Sequence, residues 1–334
     1  MNKVLEDEIT IDGDVQRTIE TVVEMRLRSL KINGPRWAKN MAINYPHVKK
    51  PYSDVVEMFP EIVTQRNVMI FASGPSLSRY EGKLHKLNDI AVVIASPTNI
   101  PWLIDQGVRV DMCVVVDSHA GMWQKIKGVY EGPIVCPPTV HPGINDLPNP
   151  VYWFKLLMGT GQSDDPQFGL WNLIMNGIFG DKLQYGFLAS AACVTNMAFL
   201  IASDFLFQRI FIGDKIILAG ADYAYWKGFS RIENPLRPRP NEVDLMEWEG
   251  MPTNARMVVY KYALYQAWMK VVGLPVYSMS DGILSEITNV TLDQILNDDF
   301  PKYPEPQELI DRTQPFRKAF LKQFGKNIKD EDGE

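Results

Sequence analysis

Only three cysteines, Cys113, Cys136 and Cys193, occur in 334 residues, and no two of them form a CxxC pair. So sparse a set excludes a disulfide framework and points to a reducing compartment. No two of the four histidines share helical or zinc-ligand spacing, which predicts no structural metal site. An excess of basic residues is missing too: 34 Lys and Arg against 40 Asp and Glu give a formal net charge of -6. Such a chain has no overall field that would steer it onto nucleic acid or an anionic membrane, so nucleic acid is not an expected partner. Long unbroken apolar runs are lacking. The best candidate, "AACVTNMAFLIASDFLFQRIFI", is interrupted by Asn196, Asp204 and Arg209 and reads as a buried helix with its connection. The opening "MNKVLEDEITIDGD" is acidic and has no apolar signal core. The expectation is a cytoplasmic protein without a membrane anchor. Neither an internal repeat nor a low-complexity block is present.

What the chain does have is 46% hydrophobic residues, enough for a large core. Residues 15–44 carry apolar positions at helical spacing, with a stop expected near Gly34-Pro35. From Asn67 short β-branched runs alternate with helical stretches: "NVMIFA" as strand, 78–87 as helix, "AVVIAS" as strand, 98–106 as helix, "DMCVVVD" as strand. That alternation predicts an α/β fold, a Rossmann-like parallel sheet with helices on both faces, plus a helical N-terminal extension. "PIVCPP" and "NPVYWFKL" read as further strands, and the Gly-, Asp- and Asn-rich stretch 158–181 as a candidate substrate loop. Residues 189–207 return to helix, "KIILAG" to strand, and 231–256 form a long polar, Pro-rich insertion. "VVYKYALYQAWMKVVG" is a helix and "PVYSMS" a closing strand. The division expected is 1–64 as extension, 65–300 as the α/β domain, and 301–334 as a C-terminal helix with a mobile acidic tail.

The stretch "FASGPSLSRY" follows the first strand. Gly74 permits a tight turn and close approach of a ligand, Pro75 suits a first helical turn, and Ser73, Ser76 and Ser78 add hydroxyls. Amides at such a helix start form a ready anion site, unless the serines merely cap the turn. Ligands of open parallel sheets bind beyond the carboxyl ends of the strands, and two further strand ends carry acids: Asp117 in "VVVDSHAGMW" and Asp222 in "IILAGADYAYW". A phosphate turn and two acids on one rim read as a nucleotide site, the alternative being that both acids cap helices.

In order along the chain, "VMIFASGPSLSRYEGKLHKL", "IPWLIDQGVRVDMCVVVDS", "SAACVTNMAFLIA" with "IILAGADYAYWKG", and "VYSMSDGILSEITNVTLDQIL" resemble the blocks of the MptE-like domain. That domain is shared by archaeal 6-hydroxymethylpterin diphosphokinases and bacterial motility-associated Maf glycosyltransferases, and its glycine-proline-serine-leucine turn is similar to that of sialyltransferases using CMP-sugars. The resemblance spans about residues 65–298. It implies that Gly74, Pro75, Ser76 and Leu77 lie near donor phosphates, with Asp117 and Asp222 flanking the same pocket. Diphosphokinase members tend to carry two closely spaced acids after the third strand. Here Asp117 stands alone before Ser118 and His119, which favours the transferase branch.

The resulting expectation is a nucleotide-sugar-dependent glycosyltransferase with a CMP- or UDP-linked donor. The turn Ser73, Gly74, Pro75, Ser76, Leu77 and Ser78 would hold the donor, and Asp117 would orient the ribose or a Mg²⁺ ion. Asp222 or His119 would activate the acceptor, a hydroxyl of a glycan, a protein or a small molecule. Asn99, Ser118, Tyr223 and Tyr225 complete the substrate-binding set, the tyrosines by stacking on a base or sugar unless they are packing residues. His141 is a further candidate, as are Arg231, Arg237 and Arg239 as phosphate clamps. An ATP- and Mg²⁺-dependent diphosphokinase and a non-catalytic nucleotide-binding protein are the rival readings.

Overall fold

The computed structural model describes residues 30–59, 67–157, 166–183, 187–189, 193–207, 214–224, 245–248, 251–271 and 273–324. The first strands come in the expected order: β1 (Asn67–Phe71), β2 (Ala91–Ala95), β3 (Met112–Val114), β4 (Ile134–Cys136) and β5 (Val151–Trp153). After β6 (Lys155–Leu157) and β7 (Phe187–Ala189) the chain returns to the main sheet with β8 (Ile216–Ala219). A hairpin of β9 (Leu245–Trp248) and β10 (Met251–Asn254) precedes β11 (Val276–Met279) and β12 (Thr288–Asn289). The main sheet has eight strands in the order β12-β11-β8-β1-β2-β3-β4-β5, and its pairings are parallel. The chain winds outward from β1 to β5, then crosses back to the other side of β1.

Strand composition explains the layers. Successive side chains point to opposite faces, so Val68, Ile70, Val92 and Ile94 join one core, while Met69, Phe71, Val93 and Ala95 join the other. Helices Val194–Phe207 and Ala255–Trp268 cover the first face. The second is covered around Ile100, Leu103 and Ile126. Both faces being buried accounts for the near-continuous apolar runs of β1 and β2. Among the described residues, no helix is long and apolar enough to cross a membrane.

Several elements differ from those the sequence predicts. The N-terminal helix runs from residue 30 to 44 without a stop at Gly34-Pro35. It is held by tertiary contacts, with Trp37 edge-on to Trp171 and Tyr45 against Phe179. Both contacts are spaced by eight residues in each partner, so this helix and Pro166–Phe179 lie side by side in parallel. That second helix occupies much of the expected loop 158–181, of which 158–165 lie outside the described residues. It forms despite Gly169 and Gly177 because Trp171, Met175 and Phe179 recur at i, i+4 and i+8 and are buried. In place of one helix over 78–87 there are two 3₁₀ segments, Pro75–Tyr80 and Leu84–Asp89. "NPVYWFKL" is two strands: β5 ends the main sheet, and β6 pairs in parallel with β7 in a separate ladder. Of the insertion 231–256, the β9–β10 hairpin lies within 245–254; residues 231–244, with Arg231, Arg237 and Arg239, lie outside the described residues. The last helix is Pro306–Phe324, and the acidic tail beyond it is also outside them.

Candidate functional site

In a doubly wound sheet the crevice for a ligand opens where neighbouring strands lead away in opposite directions, here between β1 and β8. In this chain the two strand ends stay laced together. Beyond the ladder, the Ala72 amide donates to Ala219 O at 2.9 Å and the Gly74 amide to Gly220 O at 2.7 Å. Next the Ser76 amide and hydroxyl donate to the two carboxylate oxygens of Asp222, at 2.9 and 2.5 Å. Glycine is required at 74, since a Cβ there would fall 2.3 Å from Gly220 O and 2.5 Å from Asp222 Oδ2.

Asp222 is only 3% exposed. Burial raises its pKa above the ordinary carboxylate value, opposed by the Ser76 donors and by the Asp281 amide. Its own carbonyl accepts from the Ile283 amide at 2.9 Å, and Gly282 packs so closely on it that no side chain would fit. Asp222 therefore fastens the loop after β1 to the loops after β8 and β11. Arg79 pairs with Asp281 across the same junction.

The remaining residues of the turn are engaged in the same way. It opens a six-residue 3₁₀ helix rather than an α-helix. The Leu77 amide donates to Gly74 O at 3.3 Å and the Ser78 hydroxyl to Pro75 O at 2.9 Å. Pro75 and Leu77 are buried, Ser73 is half-buried and Ser78 is exposed. Asn99, fully buried, donates to Phe71 O and Ala72 O at 2.9 and 3.0 Å and accepts from the Ser96 hydroxyl, so it fixes the base of the turn. Tyr223 sits in left-handed backbone, φ 47°, is buried, and donates its hydroxyl to Asn196 at 2.6 Å. Its burial is what the packing alternative expects of Tyr223; Tyr225 lies outside the described residues.

A second group gathers at the carboxyl ends of β3 and β4. Asp117 and His119 are 46% and 60% exposed in their side chains, with His119 Nε2 4.0 Å from Asp117 Oδ1. The His119 amide donates to Asp117 Oδ1 at 3.0 Å, which fixes the carboxylate beside the imidazole. Ser118 between them is buried, and its carbonyl takes the Asn40 amide nitrogen at 3.4 Å. The same nitrogen donates to Thr139 O at 2.9 Å, so Asn40 ties the loop after β3 to the loop after β4. Asn44, one helical turn on, donates to Pro138 O and Val140 O at 2.8 and 2.9 Å. His141 stacks on Trp123 and accepts from the Gly143 amide at 3.1 Å, a contact that serves a turn.

Arg36 is the residue that sequence reasoning missed. Its Nη1 lies 3.0 Å from Nδ1 and 2.8 Å from Nε2 of His119. The two positions are 83 residues apart, and no spacing signal links them. Asn40 and Asn44 did leave a signal: two amides at i and i+4 on one helix face indicate carbonyls to be satisfied.

The sequence model of the family described as "6-hydroxymethylpterin diphosphokinase MptE-like" matches residues 39–228, more than half of the chain. The chain belongs to the MptE-like family. The matched segment of this MptE-like protein takes in Asn40, Asn44, the laced turn and the Asp117–His119 group. No curated protein matches the sequence. Among solved structures, the MAf glycosyltransferase from Magnetospirillum magneticum AMB-1 is similar in fold, at 14% identity and a TM-score of 0.48. The similarity covers 83% of this MptE-like chain and 42% of that one, so the chain spans less than half the length of that protein.

Proposed function

We propose that the chain is a transferase acting on a nucleotide-activated donor, in the form of a nucleotide-sugar-dependent glycosyltransferase, with its chemistry at the carboxyl end of β3. The observation that carries this reading is the accessible Asp117–His119 pair on the rim of a parallel sheet, where Asp222 is by contrast buried and engaged by donors. Once Arg36 leaves the imidazole for the donor phosphates, the freed ring nitrogen of His119 accepts the proton of the acceptor hydroxyl as that oxygen bonds to the anomeric carbon of the sugar. The bond from the anomeric carbon to the donor phosphate oxygen breaks, and the nucleotide leaves with the electron pair. Asp117, fixed by the His119 amide, orients the imidazole or the donor ribose. It also fits one-point attachment of a Mg²⁺ ion that shares its other ligands with donor phosphates, where the ion would neutralise the leaving group. The acceptor is a hydroxyl of a glycan, a protein or a small molecule.

The test is turnover of CMP- and UDP-sugars, with release of free nucleotide as the readout. His119→Ala is expected to lower kcat by about 10²-fold or more, as loss of a general base does, and Asp117→Asn by less. Unchanged kcat in both variants would remove the assignment. The family description supports one other reading, an ATP-dependent diphosphokinase. Formation of AMP from ATP and Mg²⁺ in the same assay would select it.

A further inference from the structure

Resting on the reading that the protein binds a nucleotide, we infer that the anionic phosphates are held at Arg36, over the ends of β3 and β4, and that the Gly74 turn holds none. The turn is already supplied with an anion of its own. The Asp222 carboxylate takes the Ser76 amide and hydroxyl, the Gly74 and Leu77 amides bond to backbone carbonyls, and the Ser78 hydroxyl bonds to Pro75 O. A phosphate placed there would meet a buried carboxylate and few donors.

The Arg36 side has the opposite character. Its guanidinium pairs with no carboxylate among the described residues, and its contact is to a histidine. One Nη1 at nearly equal distance from both ring nitrogens can donate well to at most one of them, which leaves most of the five-donor fork for a ligand. The same region holds a buried polar atom without a hydrogen-bond partner, Thr139 Oγ1. Thr139 is 0% exposed, and its carbonyl shares the Asn40 amide nitrogen with Ser118 O, next to His119. A buried hydroxyl of this kind is ordinarily completed by an ordered water or a ligand. Arg36 and Thr139 together supply hydrogen-bond donors suited to phosphate or pyrophosphate oxygens.

The experiment is calorimetric titration of the full-length protein with inorganic pyrophosphate, CMP, UDP and ADP, beside thermal melts of the same samples without ligand. Arg36→Ala is expected to weaken binding at least about tenfold with little change in Tm. Thr139→Val provides the sharper test. Removing an unpartnered buried hydroxyl should leave Tm unchanged or raise it, while binding weakens. Ser78→Ala should bind as the wild type does. If the wild type binds and Arg36→Ala binds equally well while Ser78→Ala is weakened, the phosphates sit at the turn and the inference is overturned, with the nucleotide reading intact. Arg36-dependent pyrophosphate binding without turnover of any nucleotide sugar would support the inference and remove the transferase reading. A wild type that binds none of these probes overturns both.

Discussion

Gly74 has the most demanding surroundings of any residue in the turn after β1, and the demand is steric. A Cβ there would collide with Gly220 O and Asp222 Oδ2, a backbone and a buried group that cannot swing aside. Gly74→Ala should destabilise the protein by about 3 kcal/mol, at the upper end of ordinary overpacking, as measured by denaturant midpoints. Gly121→Ala is the control, because its Cβ would meet nothing within 4 Å. Asp222 carries a second prediction at this scale. Burial raises its pKa in the folded state, so the native protein binds this proton more tightly than the unfolded chain does. The stability it contributes is fully present below the unfolded-state value, near ~3.9, and is lost as pH rises through the folded value. Asp222→Asn should therefore gain stability relative to wild type as the pH climbs from about 4 toward neutrality. A difference that stays flat over that range would show that the Ser76 hydrogen bonds, not burial, govern its titration.

At the scale of elements, what binds the N-terminal helix to the sheet is a pair of asparagines rather than an apolar stripe alone. Asn44 donates to Pro138 O and Val140 O and accepts from Asn145 Nδ2 at 2.8 Å. Asn44→Ala leaves two buried carbonyls without a donor and should cost roughly 2 kcal/mol, with faster hydrogen exchange expected across residues 30–44. If exchange accelerated equally throughout the protein, the helix would not be a separate opening unit. The strands were legible in the sequence because a sheet buried on both faces needs runs such as "AVVIA", whichever tertiary partners it has. The helix over 166–179 was not, since glycines and asparagines masked a burial pattern that only its neighbour at Trp37 and Tyr45 makes worthwhile. The candidate site divided in the same way. Asp117 and His119 follow a strand and could be read locally, whereas the engagement of Asp222 by Ser76 joins positions 146 residues apart. Arg36 reaches its place through the docking of a whole helix, which no local pattern records.

For the molecule as a whole, the question is whether the residues before β1 form an appendage or part of the core. Met41, Val48, Tyr52 and Val55 are each at most 4% exposed and belong to the two apolar clusters that flank the sheet, with Tyr52 and Val55 on one side and Met41 and Val48 on the other. Pro51 forms a parallel bridge to Trp153 of β5, and the Trp153 amide donates to Lys50 O at 2.8 Å, so this segment also closes an edge of the sheet. Tyr52 stacks on Phe205 and donates its hydroxyl to Asp204, linking the segment to the 194–207 helix across the same face. Removal of residues 1–64 would expose apolar surface in both clusters, bare the β5 edge and leave the carbonyls of 138–140 unsatisfied at once. Each fully buried aliphatic or aromatic side chain is worth about 1.5–3 kcal/mol, so four of them outweigh much of the roughly 5–15 kcal/mol by which a domain is stable. A chain spanning 65–334 should therefore fail to fold cooperatively, giving no sigmoidal thermal transition and rapid proteolysis. A sharp transition for that fragment would mean that the sheet and its helices suffice, and that the N-terminal segment serves only to bring Arg36 to the site.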